Sequence, residues 1–273
     1  MNKYQLLLLV IFNGFTFSVA QKSIDFEYAL PENSEFIIKS KIESVGTMKV
    51  SGDKTEMEAY RKTGYNQERS VSYLFDIDVN MKTFKKTEES FPFQFSYEKI
   101  KMDIDSDGKK NNQRLSFPDI MISGDLRKDK EVITNVQKSG DATKDNFINS
   151  MPKEFLRQMI SQKDLKTGDH FTVEKKVESA GDNFKMAGNF LYTLKKIDSD
   201  LAYFDIIINL LKDKTSDIKV SGKGSGEMIY NHQKHYVISE NTLVNIDAIQ
   251  IEKTFKIEAK TNINSSFSIQ INK

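Results

Sequence analysis

Cysteine is absent from this chain of 273 residues, and tryptophan is absent as well. The lack of cysteine excludes disulfides, a thiol nucleophile and a cysteine-based zinc site. It also excludes a lipid-anchored form, since that export route needs a cysteine directly after the signal. Stability must therefore come from a hydrophobic core, which a chain of this length can bury without covalent links.

An excess of charge of one sign is also missing, because 40 Lys and Arg stand against 39 Asp and Glu. Lys3 is the only charged residue among the first twenty, so the rest of the chain carries 39 charges of each sign. Nucleic-acid-binding domains show a basic excess or stripe, and this balance argues against that class of partner. After residue 20 no apolar run approaches 18 residues, so the sequence predicts no membrane span in the mature chain.

The first twenty residues have the pattern of an export signal. Lys3 precedes a short apolar core, Leu6–Phe17, and Ser18-Val19-Ala20 matches the small-x-small sequence that signal peptidase cuts. We therefore expect cleavage between Ala20 and Gln21. The mature protein is then expected in the periplasm or outside the cell, without a lipid anchor.

Alternation of apolar and polar residues, the period of a β-strand with one buried face, runs through most of the mature chain. Every odd position from Val71 to Met81 is apolar, and the alternation from Phe255 to Ile271 is far longer than an average strand. The phase of the alternation switches near Lys99, which predicts a β-bulge. Residues 202–211 are almost continuously apolar, which predicts a strand buried on both faces.

The segment 141–166 follows a helical period instead, and Pro152 suits the first turn of a helix. We expect helices at about 143–150 and 152–163. The segment separates two β-rich stretches, 22–140 and 167–273, whose weak similarity suggests pseudo-repeats within a single domain, 21–273. The predicted fold class is mainly β: an antiparallel curved sheet or half-barrel, or two packed sheets, with one short helical segment near 143–163.

Two motifs, together with the signal, carry a resemblance to a known group of proteins. One is the predicted strand Phe171–Ser179, of pattern Phe-x-Val-x-x-Lys-Val-Glu-Ser, and the other is a predicted hairpin at Gly226–Met228. With these features the chain resembles uncharacterised exported β-rich proteins of Bacteroidota-type bacteria. By analogy of fold alone it is also similar to lipoprotein-carrier half-barrels, and this implies a curved antiparallel sheet that holds lipid on its concave face.

A stretch that starts at Asp103 spaces its carboxylates as calcium loops do, so Asp103, Asp105 and Asp107 are candidate calcium ligands. An EF-hand is rejected, because its twelfth position, which needs a bidentate Glu, is Arg114. The alternative is a β-hairpin in which Asp107 begins the turn and the other two carboxylates face solvent.

Candidate ligand-lining side chains occur in two places, one in a predicted strand and one in the predicted helices. They are Phe91, Phe93, Phe95 and Tyr97, and Phe147, Phe155 and Met159. The alternative is that the first group belongs to the core and the second caps the open end of a sheet. His232 and His235 flank a predicted turn without a third metal ligand, and the sequence predicts no cofactor.

These patterns favour an exported, non-enzymatic β-rich protein that binds an apolar or amphiphilic ligand, such as a lipid, or an envelope partner. Two alternatives stay open at this point. One is a structural or adhesive component of the cell envelope, whose apolar faces are all core. The other is a hydrolase, which requires a cleft with converging carboxylates or histidine.

Overall fold

The computed structural model describes residues 22–27, 30–62, 67–88, 90–107, 109–115, 121–127, 132–135, 161–178, 185–211, 218–251 and 254–272. In these residues the protein is mainly β, with one large antiparallel sheet that is curved but unclosed, a small two-stranded sheet and one short helix. The predicted fold class, mainly β with a curved antiparallel sheet, is therefore confirmed, whereas residues 143–160 of the predicted helical segment lie outside the described residues. The predicted cleavage site at Ala20 and Gln21 lies outside the described residues, as do Phe147, Phe155 and Met159.

The elements follow one another along the described chain, with the helix α1 at Lys54–Lys62. The strands are β1 Ser23–Glu27, β2 Glu35–Gly52, β3 Glu68–Thr83, β4 Ser90–Ser106, β5 Lys109–Leu115, β6 Met121–Arg127, β7 Val132–Asn135, β8 Ser161–Lys166, β9 His170–Glu178, β10 Lys185–Asp198, β11 Leu201–Leu211, β12 Ile218–Asn231, β13 Tyr236–Ile251 and β14 Phe255–Asn272. Several strands exceed the usual length, and they extend well beyond the buried core.

The large sheet has 12 strands in the order β7-β6-β4-β3-β2-β14-β13-β12-β11-β10-β9, and β5 also pairs with β4. Strands β9 to β14 form an antiparallel meander in which neighbours in sequence are neighbours in the sheet. Strand β14 then pairs with β2 over its whole length, from Phe255 opposite Gly52 to Asn272 opposite Glu35. The first long strand and the last described strand therefore lie side by side in the middle of the sheet.

The alternation predicted the strands and their faces well. The segment from Phe255 is one uninterrupted strand, β14, and the phase switch near Lys99 corresponds to a bulge on β4 opposite Asp78 and Val79. We call the face that carries Phe36, Ile77 and Ile269 the inner face, since all three are buried, and the opposite face the outer face.

Three predictions about local structure are wrong. Strand β11 is buried on one face only, because Ile207 points outward and is 51% exposed. The end of the helix predicted at 152–163 overlaps β8, whose residues pair with β1. Gly226–Met228 does not form a hairpin but lies inside β12, and the turn comes later, at 232–235. In the second and third cases pairing with a partner strand overrode the local pattern, whereas in β11 the outer face is not covered by another layer.

Helix α1 was not predicted, although its start has a recognisable signal. The carboxylate of Asp53 accepts a hydrogen bond from the backbone N–H of Glu56 at 2.9 Å, so Asp53 caps the helix. Arg61 and Lys62 in the last turn complement the helix dipole. Only Met57 is buried, which left the apolar pattern too weak to notice. No helix in the described residues is long and apolar enough to cross a membrane.

Two hydrophobic cores lie on the inner face, at the end of the sheet where β2, β9, β11 and β13 begin. The first core is built mainly by β2, β3, β4, β6 and β14, and the second by β9 to β13 with the small sheet. Phe267 of β14 packs against both cores and joins them. The long strands therefore continue past a core that fills one end of the inner face.

The small sheet closes the second core. Strands β1 and β8 pair with each other and bury Ile24, Phe26 and Leu165 against the large sheet. The ring of Phe26 lies 5.0 Å from that of Phe171 and 4.5 Å from that of Tyr230, measured between centroids. These aromatic contacts dock the small sheet on the inner side of β9 to β12.

Candidate functional site

The aromatic run predicted as core or ligand wall lies on the inner face of β4. Phe91, Phe93, Phe95 and Tyr97 are all buried in the first core, next to Ile122 of β6 and opposite β3. Burial raises the pKa of the Tyr97 hydroxyl far above its usual value, as expected for a hydroxyl among apolar groups. In the structure these four side chains are core residues.

The inner face continues as an apolar surface beyond the first core, and there it is only half-buried. We call this surface the open strip; it consists of Ile42, Tyr73, Phe75, Met102, Ile104 and Ile263. The strand register brings these residues together, because Phe75 lies opposite both Ile42 and Met102, and Tyr73 lies opposite Ile104. The five side chains on β2, β3 and β4 therefore form one patch that keeps some contact with solvent. Ile263 of β14 lies diagonally across from Ile42, because it faces Ser44 while Ile42 faces Ser265.

A groove crosses the three strands β2, β3 and β4 on the outer face, on the other side of the sheet from the open strip. Its volume is about 580 Å3, and most of its lining residues occupy outward positions, among them Val45, Leu74, Asp103 and Asp105. A smaller groove of about 230 Å3 lies towards the other end of the same strands, beside Met81 and Met121. The larger groove is therefore separate from the apolar surface of the inner face.

A charged cluster interrupts the apolar inner face on the side of the second core. The ammonium Nζ of Lys175 in β9 lies 3.3 Å from the carboxylate Oε1 of Glu240 in β13. The hydroxyl of Tyr192 in β10 donates to Oε2 of the same carboxylate at 3.3 Å. The Lys175 Nζ also lies 4.6 Å from the ring centroid of Phe190, a cation–π contact. We call Lys175, Tyr192 and Glu240 the charged cluster.

The charged cluster also reveals how strongly the sheet curves. Strands β9 and β13 are four places apart in the sheet, which is about 19 Å along a flat surface at 4.8 Å per strand. Lys175 and Glu240 meet across that span, so β9 to β13 must curl towards each other on the inner side. This part of the inner face is therefore concave, and the charged cluster spans the concavity.

The surroundings of the charged cluster are apolar, and they affect its hydroxyl most. Burial raises the pKa of Tyr192 well above its usual value, and the negative charge of Glu240 raises it further. The side chains of Lys175 and Glu240 are 19% and 20% exposed, so solvent still reaches both charges. The cluster thus combines a neutral donor with two accessible opposite charges on a concave apolar face.

The three candidate calcium ligands do not converge in the structure. Asp103 forms an ion pair with Lys101 at 2.5 Å. Asp107 lies in the turn after β4 with a left-handed φ of 55°, where its carboxylate accepts hydrogen bonds from Arg69 Nε at 3.2 Å and from the Ser70 backbone N–H at 2.9 Å. Asp105 lies between them on the outer face of β4. Across the described ranges, no group of three or more His, Asp or Glu side chains could hold a metal ion.

The two turn histidines hold backbone and side-chain partners. His232 Nε2 lies 2.9 Å from the Ser199 carbonyl oxygen, and His235 Nδ1 lies 3.1 Å from the Tyr230 hydroxyl. Both contacts join the turn between β12 and β13 to its surroundings. These rings serve the local structure of the turn.

Sequence reasoning missed the charged cluster, although the sequence holds a signal for two of its three residues. Lys175 occupies an inward position between Val173 and Val177, where the alternation calls for an apolar residue. Glu240 likewise follows the inward Ile238, although the next inward residue, Thr242, is also polar. A charge that interrupts an apolar face is unusual. The sequence can indicate that a charge at each of these two positions is unusual, but only the curvature of the sheet brings the two side chains into contact.

Comparisons with known proteins identify no family for this chain. No protein-family model matches it, and no curated protein matches it significantly. Among solved structures, the chain is similar to one titled "Crystal structure of the outer membrane protein OprG from Pseudomonas aeruginosa", with 8% sequence identity and a TM-score of 0.15. That alignment covers 88% of this chain and 98% of the other. A likeness at this level carries no argument about function.

Proposed function

We propose that this protein is an exported, non-enzymatic binding protein of the cell envelope that holds the apolar part of an amphiphilic molecule on the inner face of its large sheet. The observation that carries the proposal is the open strip. A sheet face that served only as core would be fully covered, whereas these six side chains stay half-buried.

The chemistry of the open strip suits an aliphatic ligand. Tyr73 and Phe75 stack with their ring centroids 6.2 Å apart, and Ile104 and Ile263 extend the surface on either side. Binding would remove apolar surface from water, which is the dominant contribution to affinity in apolar ligand sites. The envelope location rests on the predicted signal at residues 1–20.

A fluorescent fatty acid tests this proposal directly. We expect wild-type protein to bind it and to release it to unlabelled amphiphiles. Substitution of Ile263 by Asn places an amide in the open strip and should weaken binding about tenfold, since a tenfold change corresponds to about 1.4 kcal/mol, less than the worth of one fully buried aliphatic side chain.

The matched control is Leu243→Asn, which makes the same kind of change on the outer face of the neighbouring strand, where Leu243 is 50% exposed. This variant should bind as wild type does, and thermal unfolding should show that both variants are folded. Absence of probe binding by wild type, together with no co-purified lipid in native mass spectrometry, would show that the inner face is only core.

A further inference from the structure

The charged cluster has no role in packing that an apolar pair could not fill. Desolvating two opposite charges costs free energy that their attraction often fails to recover, and apolar replacements of buried ion pairs are frequently as stable. Lys175 and Glu240 nevertheless lie on the concave side of the sheet, each about one-fifth exposed. Their position suggests that they meet something polar that arrives from solvent.

We infer that the charged cluster binds the head group of a zwitterionic single-chain amphiphile, with the anionic part of the head group at Lys175 and its ammonium at Glu240. The inference rests on the proposed function, because the apolar chain of the same molecule occupies the open strip. It adds the chemical class of the ligand and the residues that select it.

Charge balance favours a zwitterion over an ion of either sign. Lys175 offers a positive donor and Glu240 a negative acceptor at 3.3 Å, so the pair has no net charge. An anionic head group would be attracted by Lys175 but repelled by Glu240. A cationic head group would be attracted by Glu240 but repelled by Lys175. A head group that carries both charges satisfies each partner and leaves neither charge without a counter-charge.

The register of the sheet connects the charged cluster with the open strip. Glu240 lies opposite Phe267 of β14, and further along the same strands Val244 lies opposite Ile263 of the strip. Four strand spacings separate β13 from β4, so the strip reaches roughly 19 Å sideways from Glu240. A head group held at Glu240 therefore lies beside Phe267, and the nearest side chains of the strip, Ile42 and Phe75, lie two residues further along their strands, roughly 7 Å.

Three amphiphiles of equal chain length test the inference, each used below its micelle-forming concentration. They are a lysophosphatidylethanolamine, a fatty acid salt and an alkylammonium salt, and each is titrated against the bound fluorescent fatty acid. Wild type should prefer the zwitterion by about tenfold, the effect expected for one additional hydrogen bond to a charged group. Glu240→Gln should shift the preference towards the fatty acid, and Lys175→Met should shift it towards the alkylammonium.

Two controls separate selection by charge from a structural role. Lys195→Met removes one partner of the exposed Lys195–Asp205 pair, whose atoms are 3.0 Å apart, and should leave the ranking unchanged. The double variant Lys175→Met with Glu240→Gln removes both charges of the pair together, so that neither is left without its partner, and it should bind all three amphiphiles equally.

The outcomes are distinguishable. Opposite shifts in the two single variants would support the head-group site. Equal binding of the three amphiphiles by wild type, or a ranking that neither variant changes, would overturn it and leave apolar binding standing; the ion pair would then only link β9 to β13. Failure of wild type to bind any of the probes would overturn the proposed function as well.

Discussion

Tyr230 connects the small sheet to the large one through its hydroxyl group. This hydroxyl donates to the carbonyl oxygen of Glu27 at 2.8 Å and accepts from the backbone N–H of Glu27 at 3.0 Å. Since the single hydroxyl proton goes to that carbonyl, the contact at 3.1 Å requires His235 Nδ1 to be the donor. One buried side chain thus fixes both the position of β1 and the tautomer of a turn histidine.

The free energy of unfolding should depend on pH because the Tyr230 hydroxyl is buried in the folded protein. Burial raises the pKa of Tyr230 to about 12, above its ordinary value of 10.0. Below pH 10 the hydroxyl is neutral in both the folded and the unfolded chain, so its contribution to stability is complete. Between pH 10 and pH 12 the Tyr230 hydroxyl ionises in the unfolded chain but stays mostly neutral in the folded one, so the free energy of unfolding falls.

Tyr230→Phe should therefore be less stable than wild type at pH 8, by about 1–2 kcal/mol for the lost hydrogen bonds. The difference between the two proteins should narrow from pH 10 to pH 12. Urea denaturation across this range measures both effects, with Tyr203→Phe on the outer face as the control. A difference that stays constant from pH 8 to pH 12 would contradict the assignment.

At the scale of elements, glycines allow β12 to curl. Gly222, Gly224 and Gly226 all occupy inward positions, and a Cβ at Gly224 would lie 2.5 Å from the Leu243 carbonyl oxygen and 2.9 Å from Val244 Cγ2. Such distances leave no room for a side chain between β12 and β13. The absence of side chains permits the close approach that the concave face requires.

Gly224→Ala should destabilise the protein by about 1–3 kcal/mol, the usual cost of overpacking, because β12 and β13 must move apart. Ser225→Ala is the matched control, since Ser225 is the next residue and points to the exposed outer face. Urea denaturation of the two variants gives the comparison. Equal stabilities for the two variants would show that the strands can part without cost.

Alternation in the sequence predicts the strands of this protein, but it does not predict which of their faces are covered. Strand β14 and the bulge near Lys99 follow from alternation alone, because burial of one face imposes period 2. The one-sided burial of β11 does not follow, since Ile207 is apolar yet exposed. Helix α1 has a capping signal at Asp53 but too little apolar surface for its period to stand out.

The candidate site was less predictable than the fold, because it depends on which faces are covered and which distant strands meet, and the local sequence pattern specifies neither. The aromatic run on β4 is apparent in the sequence, but whether it is core or ligand wall depends on what packs against it. Lys175 and Glu240 lie on strands that pair with other strands, not with each other. Their contact is a consequence of curvature, which short-range patterns do not encode.

At the scale of the whole molecule, the connections combine local and distant pairing. The meander from β9 to β14 joins neighbours in sequence, whereas β1 packs on β12 through Glu27 and Tyr230, residues that are 203 positions apart. Contacts of that kind close long loops and form late in folding. The second core should therefore assemble from its local strands before the small sheet docks.

A pair of matched substitutions tests this order. Ile24 of β1 and Ile206 of β11 are both buried in the second core. Ile206→Ala should mainly slow folding, and Ile24→Ala should mainly speed unfolding, with each costing about 2–5 kcal/mol of stability. Stopped-flow refolding and unfolding in urea measure the two rates. The reverse pattern would mean that the small sheet docks first.

The pairing of β14 with β2 has a consequence for biogenesis. A chain that emerges from a ribosome or a translocation pore with its N-terminus first exposes β2 long before β14 follows, roughly 200 residues later. During that interval β2 and then β13 each present a bare edge in what becomes the centre of the sheet, and such edges template aggregation. The nascent protein is thus expected to need a chaperone until β14 has emerged and paired with β2 and β13.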